Sequence, residues 1–370
     1  MRKRFGFALI CFYEASSGGH GSAEVSSSIY ECLPKGKKKL FEIKKKSLFS
    51  FFENYKFEYF ENIYKIFYLF ILFFKSINFL KKFEKKIIII EGASWVGYSY
   101  IFLKLIKLYS AKIIIIYHAH NIEYDLRLRK NNLIIAFITK ILEKKIYKLS
   151  NFSTAVSIND QKRLKKLYNT KTFIFPNGIN KKRLLTKKPN FNLPKKYIIF
   201  SGSYSQLFNQ DAIDKIIFKI MPQILKKHQD IKLIITGKDL PESKFKNYKF
   251  YKNYINLEKK ELNYLIKKSL FMLTPMSRSP GVKLKVIETL LLKANLITSK
   301  EGVSGIKFRK TKNLYIYSNE SQMYRYINYL IKNKKKIKIK ELYLKYYLME
   351  NIIKVFFYKI KLYKNAEIFK

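Results

Sequence analysis

Two runs of four consecutive isoleucines constrain this chain more than any other feature. They lie within Lys86–Ile90 and Lys112–Tyr117. A continuous β-branched run is typical of a strand buried on both faces of a parallel sheet. Ser99–Tyr109, between the two runs, has a helical pattern. This alternation of strand and helix predicts a doubly wound α/β sheet.

The same alternation extends along the chain and is interrupted once. Further strands are predicted at Phe5–Tyr13, Leu40–Ile43, Thr154–Ser157, Thr172–Phe175, Tyr197–Phe200, Lys232–Thr236, Phe271–Leu273 and Leu296–Ser299. Helices are predicted at Ala23–Leu33, Asp211–Lys227, Leu257–Lys268 and Glu341–Lys361. The interruption, Asn180–Lys196, has two prolines among lysines and predicts an interdomain linker. Two such domains would place a ligand cleft at the carboxyl ends of their strands.

The net charge is strongly positive. The 370 residues include 75 Lys+Arg and 26 Asp+Glu, which gives a formal charge of +49. Such an excess suggests nucleic acid or an anionic membrane surface as a partner. The lysines are spread along the whole chain, however, and no aromatic-plus-glycine signature of an RNA-binding sheet occurs. We therefore expect loose attraction to anionic lipid and no specific nucleic acid.

Cysteines and apolar runs bear on the cellular compartment. Cys11 and Cys32 are the only cysteines, which excludes a disulfide scaffold and favours a reducing cytoplasm. The apolar run Phe5–Phe12 is too short for a signal peptide and predicts a first strand. Ile66–Phe74 has nine uncharged residues, whereas a membrane span needs about 20. It predicts a buried helix, with interfacial attachment as the alternative.

The segment from Ser279 to Glu288 predicts a helix start with an anion-binding face. Ser279 suits the N-cap and Pro280 the first helical position. Gly281, Lys285 and Glu288 would then share one face, while Val286, Ile287, Leu290 and Leu291 face a core. A cation near the helix N-terminus and a carboxylate two turns in suit a nucleotide diphosphate. A solvated Lys/Glu face is the alternative, and Asn295 is expected to end the helix in a left-handed conformation.

Two loops follow strands of the first domain. Ser16–Gly21 holds three glycines after the first strand, so a substrate can approach its backbone, although a surface loop is the alternative. His118 and His120 follow the second isoleucine run, at the end of a buried strand. They suit a hydrogen-bonding role better than a metal site, because the sequence shows no convincing third ligand. A structural role for the histidines is the alternative.

The second domain begins with a similar loop. Ser201-Gly202-Ser203 is a tight turn whose backbone could face a phosphate, and Asn209 and Asp211 suit the cap of the next helix. Pro176-Asn177-Gly178 by itself predicts only a turn. The chain has no Asp-x-Asp pair, Walker loop, nucleophile elbow or Cys-x-x-Cys.

Taken in order, these segments resemble the family-4 glycosyltransferases with the GT-B fold over nearly the full chain. The matching pieces are Gly18–Gly21, His120-Asn-x-Glu123, Glu143, Thr154–Ser157, Pro176–Gly178, Ser201–Ser203 with Asn209-x-Asp-Ala212, Gly281-x-Lys-x-Lys285-x-x-Glu288 and Ser304–Ile306. Many relatives have an acidic residue where this chain has Pro280, and relatives with the same basic variant also lack it.

The resemblance implies a role for each matching residue. Lys283 and Lys285 would neutralise a donor diphosphate, and Glu288 would accept hydrogen bonds from the ribose. Backbone at Gly19, Gly202 and Ser203 would approach the donor. His120, or failing that His118, would contact the donor sugar near its anomeric carbon. His20, Gly21 and Glu123 would line the acceptor side.

We therefore predict an α/β GT-B enzyme of two doubly wound Rossmann-like domains facing each other across a cleft. Residues 1–183 would bind the acceptor, residues 184–344 would bind the nucleotide sugar, and a helix at about 345–370 would pack back on the first domain. The resemblance implies retaining transfer from a nucleotide-diphosphate sugar to a glycan or lipid-linked acceptor, without metal or other cofactor. We expect a cytoplasmic protein, peripheral on the membrane and active in surface polysaccharide or lipopolysaccharide synthesis.

Two other functions are weighed against this one. A GT-B sugar-nucleotide epimerase is the rival enzyme, and a basic protein that binds nucleic acid or a membrane surface without catalysis is the rival binding function. A phosphorylase would need a pyridoxal-binding lysine site, which we cannot identify. Salt-sensitive DNA binding without sugar-nucleotide binding would favour the non-enzymatic function.

Overall fold

The computed structural model describes residues 3–16, 21–35, 37–44, 58–129, 132–277, 282–307, 313–333 and 344–363. The chain divides into two compact units. The N-terminal unit comprises Met1–Asn180 and Met349–Lys370, and the C-terminal unit comprises Lys181–Leu348. The chain therefore leaves the N-terminal unit after Asn180 and returns at Met349, whose backbone N–H donates to the carbonyl of Ile179.

The N-terminal unit is built on six parallel strands in the order β2-β1-β3-β4-β5-β6. The strands are β1 Lys3–Cys11, β2 Lys38–Glu42, β3 Phe83–Glu91, β4 Ile114–His118, β5 Phe152–Ala155 and β6 Phe173–Ile174. The two isoleucine runs form the adjacent strands β3 and β4, in which Ile88 pairs with Ile115 and Ile89 with Ile116. Their burial on both faces confirms the prediction of a central parallel sheet.

Helices cover both faces of this sheet. They are α1 Gly21–Cys32, α2 Glu58–Leu80, α3 Val96–Tyr109, α4 Glu123–Arg129, α5 Leu133–Leu149, α6 Ile158–Tyr168 and α13 Met349–Tyr363. One face, with Ile88 and Ile90, packs under α2, α3, α5 and α6. The opposite face, with Ile89 and Ile116, lies under α1 and α13. Phe356 of α13 contacts the rings of Phe173 and Phe175.

The C-terminal unit repeats this architecture with strand order β12-β11-β10-β7-β8-β9, again all parallel. Its strands are β7 Tyr197–Ser201, β8 Lys232–Thr236, β9 Tyr251–Tyr254, β10 Met272–Thr274, β11 Leu296–Ser299 and β12 Leu314–Tyr317. Its α-helices are α7 Leu207–Lys215, α8 Met221–Leu225, α9 Glu242–Phe245, α10 Lys259–Lys268, α11 Leu284–Leu291 and α12 Glu320–Lys332. A π-helical turn, Ile216–Ile220, joins α7 to α8.

The predicted linker packs against the C-terminal unit. Lys181–Leu184 forms a 3₁₀ turn, and the Asn263 side chain donates to the carbonyls of Arg183 and Leu185. The Lys187 backbone N–H donates to Lys260. These bonds tie the first part of the segment to α10.

The apolar segment Ile66–Phe74 forms part of α2, but the prediction of a buried helix is only half correct. Leu69, Leu72 and Phe73 are buried, whereas Phe67 and Phe74 are exposed. One side of the helix covers the sheet, and the other leaves aromatic rings in solvent. No helix in the described ranges is long and apolar enough to cross a membrane.

Candidate functional site

The carboxyl edge of the C-terminal sheet has a topological switch point. Strand β7 lies between β8 and β10, so the chain connections on its two sides run in opposite directions. Open α/β sheets bind ligands outside the carboxyl strand ends at such a point. The loops that follow β7 and β8 meet there, because the Gly202 N–H donates to the carbonyl of Thr236 at 2.8 Å.

Two glycines allow the close approach of these loops. Gly202 and Gly237 have φ of 153° and 158°, which disfavour a side chain. A Cβ at Gly237 would lie 2.3 Å from the Gly202 carbonyl oxygen. A Cβ at Gly202 would lie 2.6 Å from Lys285 Nζ and 2.7 Å from Asn209 Nδ2. Gly202 therefore leaves room for a cation beside the loop backbone.

Lys285, in the first turn of α11, points its ammonium group at this loop. Its Nζ donates to Asn209 Oδ1 at 2.8 Å and lies 4.4 Å from the centre of the Phe200 ring. Burial lowers the pKa of Lys285 to about 7, and the nearby Glu288 carboxylate opposes that shift. An anion at this loop would restore the full charge of Lys285, so the group is suited to phosphate binding.

Glu288 lies one turn further along α11 and is buried. Its Oε1 accepts a short hydrogen bond from the Nζ of Lys259, and Lys259 is the first residue of α10. A buried carboxylate needs such a partner. Lys259 was not predicted, because the lysine is remote in the chain and reaches Glu288 only through tertiary packing.

Helix α11 begins later than predicted. Lys283 is its N-cap, in an extended conformation, and Leu284 is its first residue, so the predicted start at Pro280 is wrong. Ser279, Pro280 and Gly281 lie outside the described residues. Val282 and Lys283 are not helical, and Lys283 is extended. Lys283 is buried, and its carbonyl accepts the first backbone hydrogen bonds of the helix.

The helix end also differs from the prediction. Lys293, with φ of 58°, is the left-handed residue after α11. Asn295 instead uses its side-chain amide to donate to the Leu270 carbonyl at 3.1 Å. This bond connects the segment before β11 to the segment before β10, so a tertiary contact explains the role of Asn295.

The sequence had predicted that Asn209 caps the next helix, but it does not. Helix α7 begins at Leu207 with Gln206 as its N-cap, which places Asn209 and Asp211 inside the helix. The Asn209 side chain donates to the Ser203 carbonyl at 2.8 Å while accepting from Lys285. Ser203 Oγ donates to Asp239 Oδ2 at 2.7 Å. Asn209 thus fixes the β7 loop and the Lys285 ammonium relative to each other.

A second polar cluster lies at the carboxyl edge of the N-terminal sheet. Glu91 ends β3, His118 ends β4, and His120 follows two residues later. All three side chains are buried. Glu91 Oε2 lies 3.2 Å from His118 Nδ1 and 2.7 Å from His120 Nε2, and it accepts a hydrogen bond from the Ser26 hydroxyl of α1.

Glu91 is ionised in this cluster. Burial opposes its ionisation, but His118 and His120 outweigh that effect and hold the pKa of Glu91 well below its usual range. The carboxylate therefore fixes the orientation and the proton position of both rings. The sequence prediction missed Glu91. The signal was available, since Glu91 directly follows an isoleucine run, as Tyr117 and His118 follow the other.

Glu91 is also the third side chain of metal-ligating type in this cluster, which the sequence analysis had not identified. The ligand atoms of Glu91, His118 and His120 all lie within 4.8 Å of one another. Two ligands of a tetrahedral zinc ion are about 3.3 Å apart, since each lies about 2.0–2.1 Å from the metal. The 2.7 Å separation of His120 and Glu91 is shorter and suits a direct hydrogen bond.

Glu123 begins α4, and Glu143 of α5 caps that helix. The Glu143 carboxylate accepts the backbone N–H groups of Glu123 and Tyr124 at 3.0 and 3.2 Å, and the Tyr168 hydroxyl at 2.6 Å. The Glu123 side chain is buried and forms an ion pair with Arg127. Burial raises the pKa of Glu143 to about 7. Glu143 thus has a clear structural role in the motif that includes His120 and Glu123.

The glycine loop after β1 is only partly described. Gly19 and His20 lie outside the described residues. Gly21 is the first residue of α1, and a Cβ there would meet open space. Its place at a helix N-terminus beside the carboxyl strand ends is compatible with the predicted loop, while the assigned acceptor role stays a prediction.

Comparison with solved structures identifies the fold class. Sucrose-phosphate synthase from Thermosynechococcus elongatus is similar, with a TM-score of 0.71 and 13% identity over 97% of this chain and 99% of that one. The Anabaena protein HepE, in complex with UDP and glucose, has a TM-score of 0.66 and 11% identity over 96% of this chain and 99% of its own. The UDP-GlcNAc 2-epimerase from Methanocaldococcus jannaschii has a TM-score of 0.55 and 16% identity over 96% of this chain and 100% of its own. The fold is GT-B, which confirms the predicted fold class.

A comparison with sequence-family models finds a glycosyltransferase match in the C-terminal unit. Residues 195–333 match the family model for Glycosyl transferases group 1. The match lies entirely within the C-terminal unit and includes the Gly202 loop, Lys285 and Glu288. No curated protein matches the chain significantly.

Proposed function

We propose that this protein is a retaining, metal-independent glycosyltransferase that transfers a sugar from a nucleotide-diphosphate donor to a glycan or lipid-linked acceptor. The observation that carries the proposal is the convergence of Lys285, Asn209 and Gly202 at the switch point of the C-terminal sheet. The glycosyltransferase family match covers the same segment. HepE, which shares the fold, binds UDP and glucose.

The donor diphosphate would bind at the Gly202 loop beside Lys285. The difficult step of the reaction is departure of the nucleotide diphosphate from an oxocarbenium-like carbon. A cation held next to the leaving group stabilises the negative charge that develops there. Lys285 is positioned by Asn209 before any ligand arrives, so little rearrangement is needed. Lys283 would add a second positive charge, and Glu288 would accept hydrogen bonds from the ribose.

The N-terminal unit would supply the ordered histidine. Glu91 accepts from His120 Nε2, so the imidazole has a fixed orientation. We propose His120 as the residue that contacts the donor sugar, with His118 beside it. The retaining course and the absence of a metal follow from the family resemblance, in which a leaving phosphate oxygen can take the proton of the acceptor.

The pathway and location form part of the same proposal. The net charge of +49 favours the anionic cytoplasmic face of a membrane, where lipid-linked acceptors are presented. We propose a cytoplasmic enzyme, peripheral on the membrane, in cell-surface polysaccharide or lipopolysaccharide synthesis.

A sugar-nucleotide epimerase is the second candidate, because an epimerase shares the fold. The two reactions differ in their products. A transferase releases free nucleotide diphosphate in proportion to acceptor consumed, whereas this rival would change the stereochemistry of the sugar without consuming an acceptor.

Calorimetric titration of the purified chain with UDP, GDP, ADP and CMP tests the donor site. We expect one nucleotide class to bind without added metal. Lys285→Ala should weaken that binding by about 1.5–3 kcal/mol, the usual value of a hydrogen bond to a charged group. Lys227→Ala, an exposed lysine after α8, is the matched control and should leave affinity unchanged. Equal affinity in Lys285→Ala would contradict the assignment.

A further inference from the structure

Helix α5 is amphipathic in an unusual sense, because its solvent face begins with large aliphatic and aromatic side chains. Leu133 and Ile134 are 72% and 76% exposed, Phe137 is 64% exposed, and Ile138 and Ile141 are 44% and 41% exposed. The buried face of the same turns consists of the smaller residues Ala136 and Thr139. A surface helix normally shows the reverse pattern.

The exposed stripe continues with lysines. At about 100° per residue, Lys144, Lys145 and Lys148 fall on the same side of α5 as the five apolar residues. Within the described part of the chain, no carboxylate forms an ion pair with these three lysines. Glu143 is the only acidic residue of α5, and it is buried. The solvent face of α5 is therefore apolar in its first half and cationic in its second.

Helix α2 adds a second apolar stripe to the same layer. Its residues Phe67, Phe70 and Phe74 are exposed, and both α2 and α5 pack beside α3 over one face of the sheet. The two stripes are separated by α3. A partner that fits a single groove would not cover both stripes. A broad apolar surface with anionic groups at its boundary matches the apolar side chains of both stripes and the lysines of α5.

We propose that the outer faces of α5 and α2 form a docking surface for an anionic lipid bilayer. The apolar half of α5 would enter the boundary between headgroups and acyl chains, and its lysines would contact lipid phosphates. Interfacial helices bind membranes by this combination of apolar burial and electrostatic attraction. The inference deepens the proposed function, because it names the surface by which the enzyme would reach a lipid-linked acceptor.

Vesicle sedimentation tests this surface on the full chain without nucleotide. We expect binding to an equal mixture of phosphatidylcholine and phosphatidylglycerol, and much weaker binding to phosphatidylcholine alone. Ile134→Ser/Ile138→Ser should lower the partition coefficient by about tenfold or more per isoleucine. Lys144→Gln/Lys145→Gln should lower it by about fivefold per lysine on the mixed vesicles only.

Val355→Ser/Tyr358→Ser provides the matched control. Both residues are exposed on α13, which covers the opposite face of the same sheet. Binding retained in this control and lost in the α5 variant supports the assignment. Equal loss in both would mean diffuse adhesion and would overturn it. Failure of the wild-type chain to bind vesicles, or an α5 substitution that only dissociates a dimer, would also overturn it.

The donor site is measured separately on the same variants. Ile134→Ser/Ile138→Ser should retain wild-type nucleotide affinity and melting temperature, because the exposed stripe has no part in the C-terminal unit. Vesicle binding without nucleotide binding would leave the docking surface standing and contradict the proposed function. Nucleotide binding without vesicle binding would support the donor site and overturn the docking surface.

Discussion

At the scale of single residues, Lys285 is a cation in an environment that favours its neutral form. Burial of the ammonium group lowers its pKa to about 7, although Asn209 Oδ1 and the Phe200 ring both contact the charged end. The free protein therefore has a site whose charge changes near neutral pH. A diphosphate would favour the protonated form and raise the pKa again.

This coupling predicts that nucleotide affinity depends on pH. Below about pH 7 the free protein already carries the charge, whereas above it binding must take up a proton. Affinity for UDP or its equivalent should fall by up to tenfold per pH unit between about pH 7 and 9, because Lys285 loses its proton in the free protein. The terminal phosphate, with a pKa of about 6, is already ionised in this range, so its own charge does not change. Calorimetry in buffers of different ionisation enthalpy measures the proton uptake. Lys285→Met should abolish it, and a pH-independent wild-type affinity would contradict the coupling.

The two loop glycines should differ in how they tolerate alanine. In Gly202→Ala the new Cβ meets the side-chain ends of Lys285 and Asn209, which can be displaced by rotation about their own bonds, so nucleotide binding should weaken. In Gly237→Ala it meets the backbone carbonyl of Gly202, which cannot move without disrupting the loop. Both variants should lose about 1–3 kcal/mol through the strained backbone, and we expect Gly237→Ala to lose more stability because of its backbone clash. Thermal unfolding and UDP titration of both variants check this order.

At the scale of secondary-structure elements, Glu143 connects three helices. Its carboxylate lies on α5, caps the N-terminus of α4 and accepts the Tyr168 hydroxyl of α6. Its folded pKa of about 7 lies above the ordinary value of 4.5. The folded state therefore holds the proton more tightly, and the stability contributed by this group is present at low pH and lost as pH rises through 7.

Glu143→Gln should remove this pH dependence. Relative to that variant, the free energy of unfolding of the wild type should fall by about 3 kcal/mol between about pH 4 and pH 8. Trp95 is the only tryptophan and lies before α3, so its fluorescence during urea unfolding reports on the N-terminal unit. A constant difference between the two proteins would show that Glu143 does not titrate in this range.

Glu91 connects β3 to β4 and α1 through one oxygen. Glu91→Gln should destabilise the N-terminal unit by about 1.5–3 kcal/mol, the usual value of a hydrogen bond to a charged group, because Glu91 Oε2 accepts hydrogen bonds from both histidines and from α1. It should also lower turnover more than donor affinity, because His120 loses its fixed orientation. Glu84→Gln, at the exposed start of the same strand, is the control and should change neither. Trp95 unfolding and steady-state kinetics separate the two effects, and wild-type turnover would limit Glu91 to a structural role.

The sequence predicted the strands better than the surroundings of the site. Continuous β-branched runs such as Ile87–Ile90 have few alternatives to a buried strand, and their positions are confirmed. Helices α5, α6 and α12 were not predicted. Helix α5 has an apolar solvent face, and lysines dominate α6, whereas the regular stripe Met323, Ile327 and Leu330 of α12 was an available signal that was missed. The start of α11 was misplaced because cap residues were available at Ser279, four residues before the actual N-cap. Contacts such as Lys259 with Glu288 depend on packing that no local pattern encodes.

At the scale of the whole molecule, the positive charge and the donor site make different predictions for a nucleotide and for DNA. A formal charge of +49 spread along the chain attracts any polyanion, and such attraction weakens steeply with salt. Binding at the preformed Gly202 loop, beside the partly buried Lys285 and the buried Asn209, is screened much less. Salt therefore separates diffuse attraction from specific recognition.

Hydrogen–deuterium exchange of the full chain should localise this difference. The nucleotide that binds in calorimetry should protect backbone amides of the C-terminal unit, centred on Ser201–Asn209, Gly237 and Lys283–Glu288, because these segments surround the Lys285 ammonium. The protection should persist at high salt and decrease in Lys285→Ala. DNA should give protection that is spread over lysine-rich segments and disappears at high salt. Protection by DNA alone would favour a basic binding protein, and nucleotide protection confined to the N-terminal unit would place the donor elsewhere.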